Sequence, residues 1–316
     1  MSSALIVLEK LIMMTVMAAI GFLCGKLRLI EGDTHRKLSN LSLLVINPIL
    51  IFTSYQTDFS PDIARSLLWM LLLTCIAYVI QIGLSLLLTP RKNNPNMAIE
   101  RISLALSNTG FIGLPLVSAV FGSGGVIYLT LFIAVFNAVA WTYGVIAMTG
   151  KASLRQTLRS LATPSIFAVI LGLALFLLRI RLPGILLEPL QTVGSMNTPF
   201  AMIIAGATLA GADLASCIKK PRLYLLAAAK LLLIPGAVAF ALCGFSRLGV
   251  DPMLISIAVM ATGCSTAVMC TMFAHRYHKN SVFASEIWAV TTILSVVTLP
   301  ALMWFSDQLL TFVARL

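Results

Sequence analysis

The stretch SNTGFIGLPL, residues 107–116, sits inside an apolar run, 98–121, long enough to cross a bilayer. It carries an Asn, a Thr, a Pro and two Gly where lipid favours an uninterrupted helix. Hydrocarbon offers nothing to an unpaired backbone N–H or C=O, so irregular backbone at this depth must be buried in protein or line a wet cavity. Pro115 has no N–H to donate, and its ring collides with the carbonyl of Phe111. Gly110 and Gly113 lower the cost of unwinding. Counted from Ala98, Asn108 and Thr109 lie about ten residues in, ~15 Å at ~1.5 Å per residue, near the midplane. Polar side chains and helix breakers coincide at one depth, and the helix is expected to stop there.

The rest of the 316-residue chain is of one kind with this run: 59% hydrophobic and 10% charged, with a mean hydropathy of +0.99. A soluble domain is about 25% charged. Apolar runs at 4–24, 37–55, 66–88, 98–121, 125–149, 161–180, 185–210, 222–246, 251–274 and 281–305 predict an all-α polytopic membrane protein of ten transmembrane helices. The first run reads as helix 1 and not as a cleaved signal, because Lys26 and Arg28 follow it and no small-x-small site closes it. The net charge of +11 is dispersed over loops with no basic domain to hold it, so nucleic acid is not an expected partner. That charge is better used for topology. Fifteen Lys and Arg, among them Arg36, Arg91, Arg155, Lys220 and Arg276, fall on the side of the odd-to-even loops, and six on the other. The first side is therefore cytoplasmic, and both termini face outward across the plasma membrane. Six cysteines without a CxxC spacing read as small buried hydrophobes.

The two halves echo one another. Asn47-Pro48 in the second run is matched by Asn197-Thr198-Pro199 in the seventh, an offset of 150 between the two Asn. Thr109-Gly110 in the fourth run is matched by Thr262-Gly263 in the ninth, an offset of 153. Near-equal offsets at separated landmarks predict a five-helix duplication: 1–150 as the first repeat, 151–160 as a basic cytoplasmic linker and 161–316 as the second. An odd number of helices per unit inverts the second copy, the plan of many secondary transporters, which bind substrate at the repeat interface near mid-membrane.

A broken helix exposes an N-terminal end with free N–H groups and partial positive charge, which suits a carboxylate. Asn108 adds an amide donor without an intramembrane charge. The candidate substrate contacts are Asn108, Thr109, Gly110 and Pro115, their repeat partners Thr262, Gly263 and Ser265, and the amides Asn47 and Asn197. Asn137 is a further embedded amide that either borders the site or bonds a neighbouring helix. Lys230 lies ~12 Å into helix 8 beyond Arg222. It reads as the partner of Glu286 in a structural ion pair or as a side chain snorkelling to the interface, ahead of a role in attracting the substrate. His275 and His278 share a helix face but have no third metal ligand in sight. No HExxH, GxSxG or P-loop is present, so an enzyme is not expected. No cofactor is implied. Coupling to Na⁺ or H⁺ is left open, and Na⁺ would need Ser/Thr hydroxyls and backbone carbonyls as ligands.

At NTGFIGLPL in helix 4, the Asn-Pro pair in helix 2 and AAAKLLLIPG in helix 8, the chain resembles the auxin efflux carrier family. That family includes bacterial malate and malonate permease-like proteins and lies in a superfamily with sodium/bile-acid symporters. The resemblance covers essentially the whole chain and implies two inverted five-helix repeats, a scaffold and a transport domain, broken helices 4 and 9 that cross, and organic-anion transport by an elevator-like movement. By position it assigns Asn108, Thr109, Gly110 and Pro115 to the first crossover and Thr262, Gly263, Ser265 and Thr266 to the second. The stretch TGCSTAVMCT lacks the proline frequent there, so a break in helix 9 must rest on Gly263 and its Ser/Thr neighbours. The expected function is a carrier of small mono- or dicarboxylates, with a ligand-binding sensor or a channel as the alternative. Its expected partners are that anion and the bilayer, and homodimerisation is left open.

Overall fold

The computed structural model describes residues 3–89, 94–150, 163–211, 217 and 220–315. The 151–160 linker expected from the sequence lies outside them. The described residues are helical with no β-strand. We number the helices α1 (Ser3–Lys26), α2 (Gly32–Ser54), α3 (Pro61–Leu88), α4 (Met97–Ala105), α5 (Thr109–Thr149), α6 (Pro164–Leu177), α7 (Gly184–Ala210), α8 (Pro221–Leu248), α9 (Pro252–Gly263), α10 (Val268–Arg276) and α11 (Ser281–Arg315). Seven of these runs, α1 (from Leu8), α2, α3, α5, α7, α8 and α11 (to Val313), are long and apolar enough to cross a membrane. Helices α6 and α9 are apolar but shorter, and α4 and α10 are short pieces on the far sides of breaks. Helix α5 is one continuous run only nominally. Gly122, at φ 64° and ψ −160°, turns it, so two limbs meet there in a conformation that glycine tolerates.

Local signals account for most starts. Ser60-Pro61, Thr163-Pro164 and Asp251-Pro252 open α3, α6 and α9, each with a side-chain oxygen accepting a first-turn N–H and a proline whose missing donor costs nothing there. Proline inside a helix is handled by widening the turn before it. Three of the four π-helical turns, Ser42–Ile46, Thr109–Gly113 and Ala229–Leu233, end two residues before Pro48, Pro115 and Pro235. In each the residue before the proline donates five residues back, to Ser42, Thr109 or Ala229, which makes room for the ring and for the N–H it lacks.

Burial sorts the helices. Every residue of α9 from Leu254 to Gly263 is buried, as expected for a helix that is apolar all round and lies inside a bundle. By contrast α1 exposes Ile12, Met13, Val16, Ile20 and Leu23, and α3 exposes Leu68, Val79 and Leu87. Apolar faces of this extent call for lipid as solvent. Between α1 and α7 the backbones nearly touch: a Cβ on Gly206 would lie 1.8 Å from the carbonyl oxygen of Ala18, and one on Gly21 2.1 Å from that of Ile203. Helix α2 packs on α6 and α7 in the same way, with Gly172 under the Tyr55 ring and Gly194 against Leu50.

Candidate functional site

Helices α4 and α9 both stop inside the protein, and the chain beyond each is extended: Leu106 has φ −107° and ψ 120°, and Cys264 φ −59° and ψ 154°. The two extended pieces pair. The Asn108 N–H donates to the Ser265 carbonyl at 2.8 Å and the Ala267 N–H to the Leu106 carbonyl at 3.0 Å, an antiparallel bridge of Ser107 with Thr266. Backbone released by one break is thus satisfied by the other, which is how irregular chain persists at this depth. The break in the ninth run needs no proline, because this pairing supplies the partners.

Several of the carbonyls at the two helix ends find partners at the crossing. At the C-terminus of α4, Ile102 O accepts from Leu106 N–H at 2.9 Å, Ser103 O from the Thr266 hydroxyl at 3.1 Å and Leu104 O from Lys230 Nζ at 3.2 Å. At that of α9, Thr262 O lies 2.9 Å from Ser107 Oγ. Ser107 is the hub: its oxygen also accepts from Lys230 Nζ at 2.7 Å and lies 3.2 Å from Gln81 Oε1. Lys230 is fully buried, held in the π turn of α8.

The N-terminal ends of α5 and α10 face a shared cavity of about 370 Å³. Residues 107–111 form one wall and residues 267–269 another, with Phe136, Ile204, Met272 and Trp288 around them. The first N–H groups of a helix have no intrahelical acceptor, so both walls present donors and partial positive charge. Thr109 Oγ1 and Trp288 Nε1 are buried beside this space without a hydrogen-bond partner, a state that native interiors rarely leave unexplained. The far end is basic and polar: His35, Arg36, Ser39 and Asn40 share one face of α2. His35 Nε2 meets the Thr208 hydroxyl of α7 at 2.7 Å.

Of the residues singled out from the sequence, Asn108, Thr109 and Gly110 line the cavity and the others do not. Thr262 and Ser265 hold the crossing through their carbonyls, while Gly263 packs on α11, where a Cβ would stand 2.4 Å from Leu302. Pro115 is buried in α5 beyond its π turn. Asn137 donates to the Ile133 carbonyl of its own helix at 2.8 Å, so its amide serves α5 itself. Asn47 and Asn197 are buried in α2 and α7 away from the cavity, and Asn47 Oδ1 and both Asn197 amide atoms lack partners. The expected Lys230–Glu286 pair is not formed. Glu286 pairs with Lys220 at 2.5 Å, and Lys230 turns instead to the crossing, where the Leu104 carbonyl and the Ser107 hydroxyl accept from it. Ser107, Trp288 and the α2 face were not picked out in advance. Only Ser107 carried a signal, its place beside Asn108.

A family model described as "Membrane transport protein" matches residues 6–157 and 151–303. The chain belongs to this membrane transport protein family. No curated protein compared with it matches. The family is that of the auxin efflux carriers, transporters and not enzymes. The protein is accordingly a multi-pass membrane transporter, in contact with bilayer and substrate.

Two expectations follow for this transporter. A Cβ on Gly110 meets nothing within 4 Å, so Gly110→Leu fills free space at the wall. Transport is expected to be lost while the melting temperature holds or rises, since glycine disfavours a helix by about 1 kcal/mol. Glu100, 3% exposed, is gripped by the Arg222 fork at 3.0 and 2.6 Å and by Asn94 at 2.9 Å. Glu100→Ala leaves a half-buried guanidinium without its partner and is expected to destabilise by about 1–2 kcal/mol, read as a fall in melting temperature.

Proposed function

We propose that the protein is a secondary carrier of small organic anions that holds its substrate where the two broken helices cross. The observation that supports this most is the meeting of two half-helix N-termini, with Asn108 between them, on one cavity. Donors and dipoles converge there on a space sized for a small molecule, with no fixed carboxylate among its lining residues. Much of the lining is apolar, including Phe111, Phe136, Met269 and Met272. A second carboxylate buried against those side chains would lack partners, so monocarboxylates are the favoured class, ahead of the dicarboxylates of the malate and malonate permease-like branch.

In this account the ten passes form two inverted five-helix repeats, with α4 and the first limb of α5 as the fourth pass and α9 with α10 as the ninth. Transport proceeds by alternating access through an elevator-like movement. The positive-inside count places His35 and Arg36 on the cytoplasmic side of the plasma membrane and both termini outside. The cavity would then open inward, and its basic rim would draw anions in.

Counterflow in proteoliposomes tests the function. Liposomes loaded with an unlabelled carboxylate are expected to accumulate its labelled form transiently and saturably. Binding without exchange would make the protein a sensor, and non-saturating current a channel; either outcome defeats the proposal.

A further inference from the structure

We propose that Lys230 is a tethered cation that fills the seat a coupling Na⁺ would otherwise take at the helix crossing, so that the transporter engages its anion with no metal ion. The seat is defined by its oxygens. Lys230 Nζ donates to the Leu104 carbonyl at 3.2 Å and to Ser107 Oγ at 2.7 Å. Ser107 Oγ in turn lies 2.9 Å from the Thr262 carbonyl and 3.2 Å from Gln81 Oε1. The two oxygens on Nζ, a backbone carbonyl and a hydroxyl, are hard-cation donors, and the Thr262 carbonyl and Gln81 amide oxygen stand one hydroxyl further out. Unwound carbonyls and half-helix C-termini are where carriers with broken helices coordinate their coupling ion.

Here two such C-termini, those of α4 and α9, converge, and each brings partial negative charge. The positive charge that answers them is covalent. Lys230 is 0% exposed and neither of its hydrogen-bond partners is a carboxylate. The nearby acids have cations of their own: Glu100 takes Arg222, and Glu286 takes Lys220. Arriving from α8, the side chain ends one hydroxyl away from the cavity, because Ser107 both holds the ammonium and lines the wall beside Asn108. The cation thus serves two ends. It holds the breaks through Leu104 and Ser107, and in its protonated form it lends positive potential to the anion's seat, with no dissociable ion needed for either task.

The test reads cation binding alone, so it stands or falls separately from the proposed substrate. Melting temperatures of the purified protein are compared in NaCl, choline chloride and n-propylammonium chloride at equal ionic strength. The wild type is expected to melt at the same temperature in all three. Lys230→Ala opens the seat: it is expected to melt several degrees lower in choline and to recover, saturably, with Na⁺ or n-propylammonium. A saturable Na⁺ response of the wild type would overturn the proposal. So would a folded Lys230→Ala that is as stable as the wild type or indifferent to both cations. Should that variant fold in none of the salts, the wild-type arm decides, supported by ²²Na⁺ binding: none expected, stoichiometric binding contradictory.

Discussion

Asn108→Ala is expected to abolish transport while leaving the protein folded. The backbone of Asn108 ties the two breaks together through its N–H at 2.8 Å from the Ser265 carbonyl, and that bond survives the substitution. Its side chain makes no capping bond to the helix it precedes, so truncation strands no partner inside the protein. Melting temperature should move by no more than ~2 °C, within the effect of about 1 kcal/mol on a chain of this size. The substrate, by contrast, loses a hydrogen bond from an amide to a charged group, about 1.5–3 kcal/mol or ~10- to 100-fold in affinity. Thermal shift against a carboxylate panel and proteoliposome uptake measure the two sides separately. Wild-type uptake by the variant would reduce Asn108 to a packing residue.

Gly206→Val is expected to do the reverse and remove the folded protein itself. Its Cβ would lie 1.8 Å from the Ala18 carbonyl oxygen and 2.7 Å from Phe22 N. These are backbone atoms, so no rotamer change relieves the clash and α1 must move off α7. Overpacking against side chains costs about 1–3 kcal/mol; displacing a whole helix costs more, and the yield of monodisperse protein in detergent should collapse. Gly21→Val attacks the same contact from the other helix, 2.1 Å from the Ile203 carbonyl, and should behave alike. Gly83→Ala on α3, where nothing lies within 4 Å, is the control and should be neutral or slightly stabilising.

The breaks were legible in the sequence because they announce themselves locally. Pro115 with Gly110 pointed to irregular backbone in the fourth run, whereas the ninth run, with no proline, offered only Gly263 and its Ser/Thr neighbours; the structure breaks both helices, at 106–108 and 264–267. The membrane class was equally plain from hydropathy. Composition could not say which polar side chains face the cavity, since that depends on helix rotation and on who reaches the freed carbonyls first. Asn137 looked like Asn108, yet it spends its amide on Ile133 four residues back. Thr262 and Ser265 echoed the spacing around Thr109, but the breaks engage each other through the Thr262 and Ser265 carbonyls, and neither residue lines the cavity as Asn108 and Thr109 do. Lys230 was read toward Glu286 because the sequence puts both several residues in from what it reads as the same side of the membrane. Lys220 already satisfies that carboxylate, and the widened turn Ala229–Leu233 before Pro235 presents Lys230 to the crossing instead.

The most direct test of the central claim is a structure of the protein with a carboxylate that raises its melting temperature. The account predicts carboxylate density between residues 108–111 and 267–269, with an oxygen in hydrogen-bond reach of the Asn108 amide. A ligand bound elsewhere, with that space left to solvent or side chains, would contradict it.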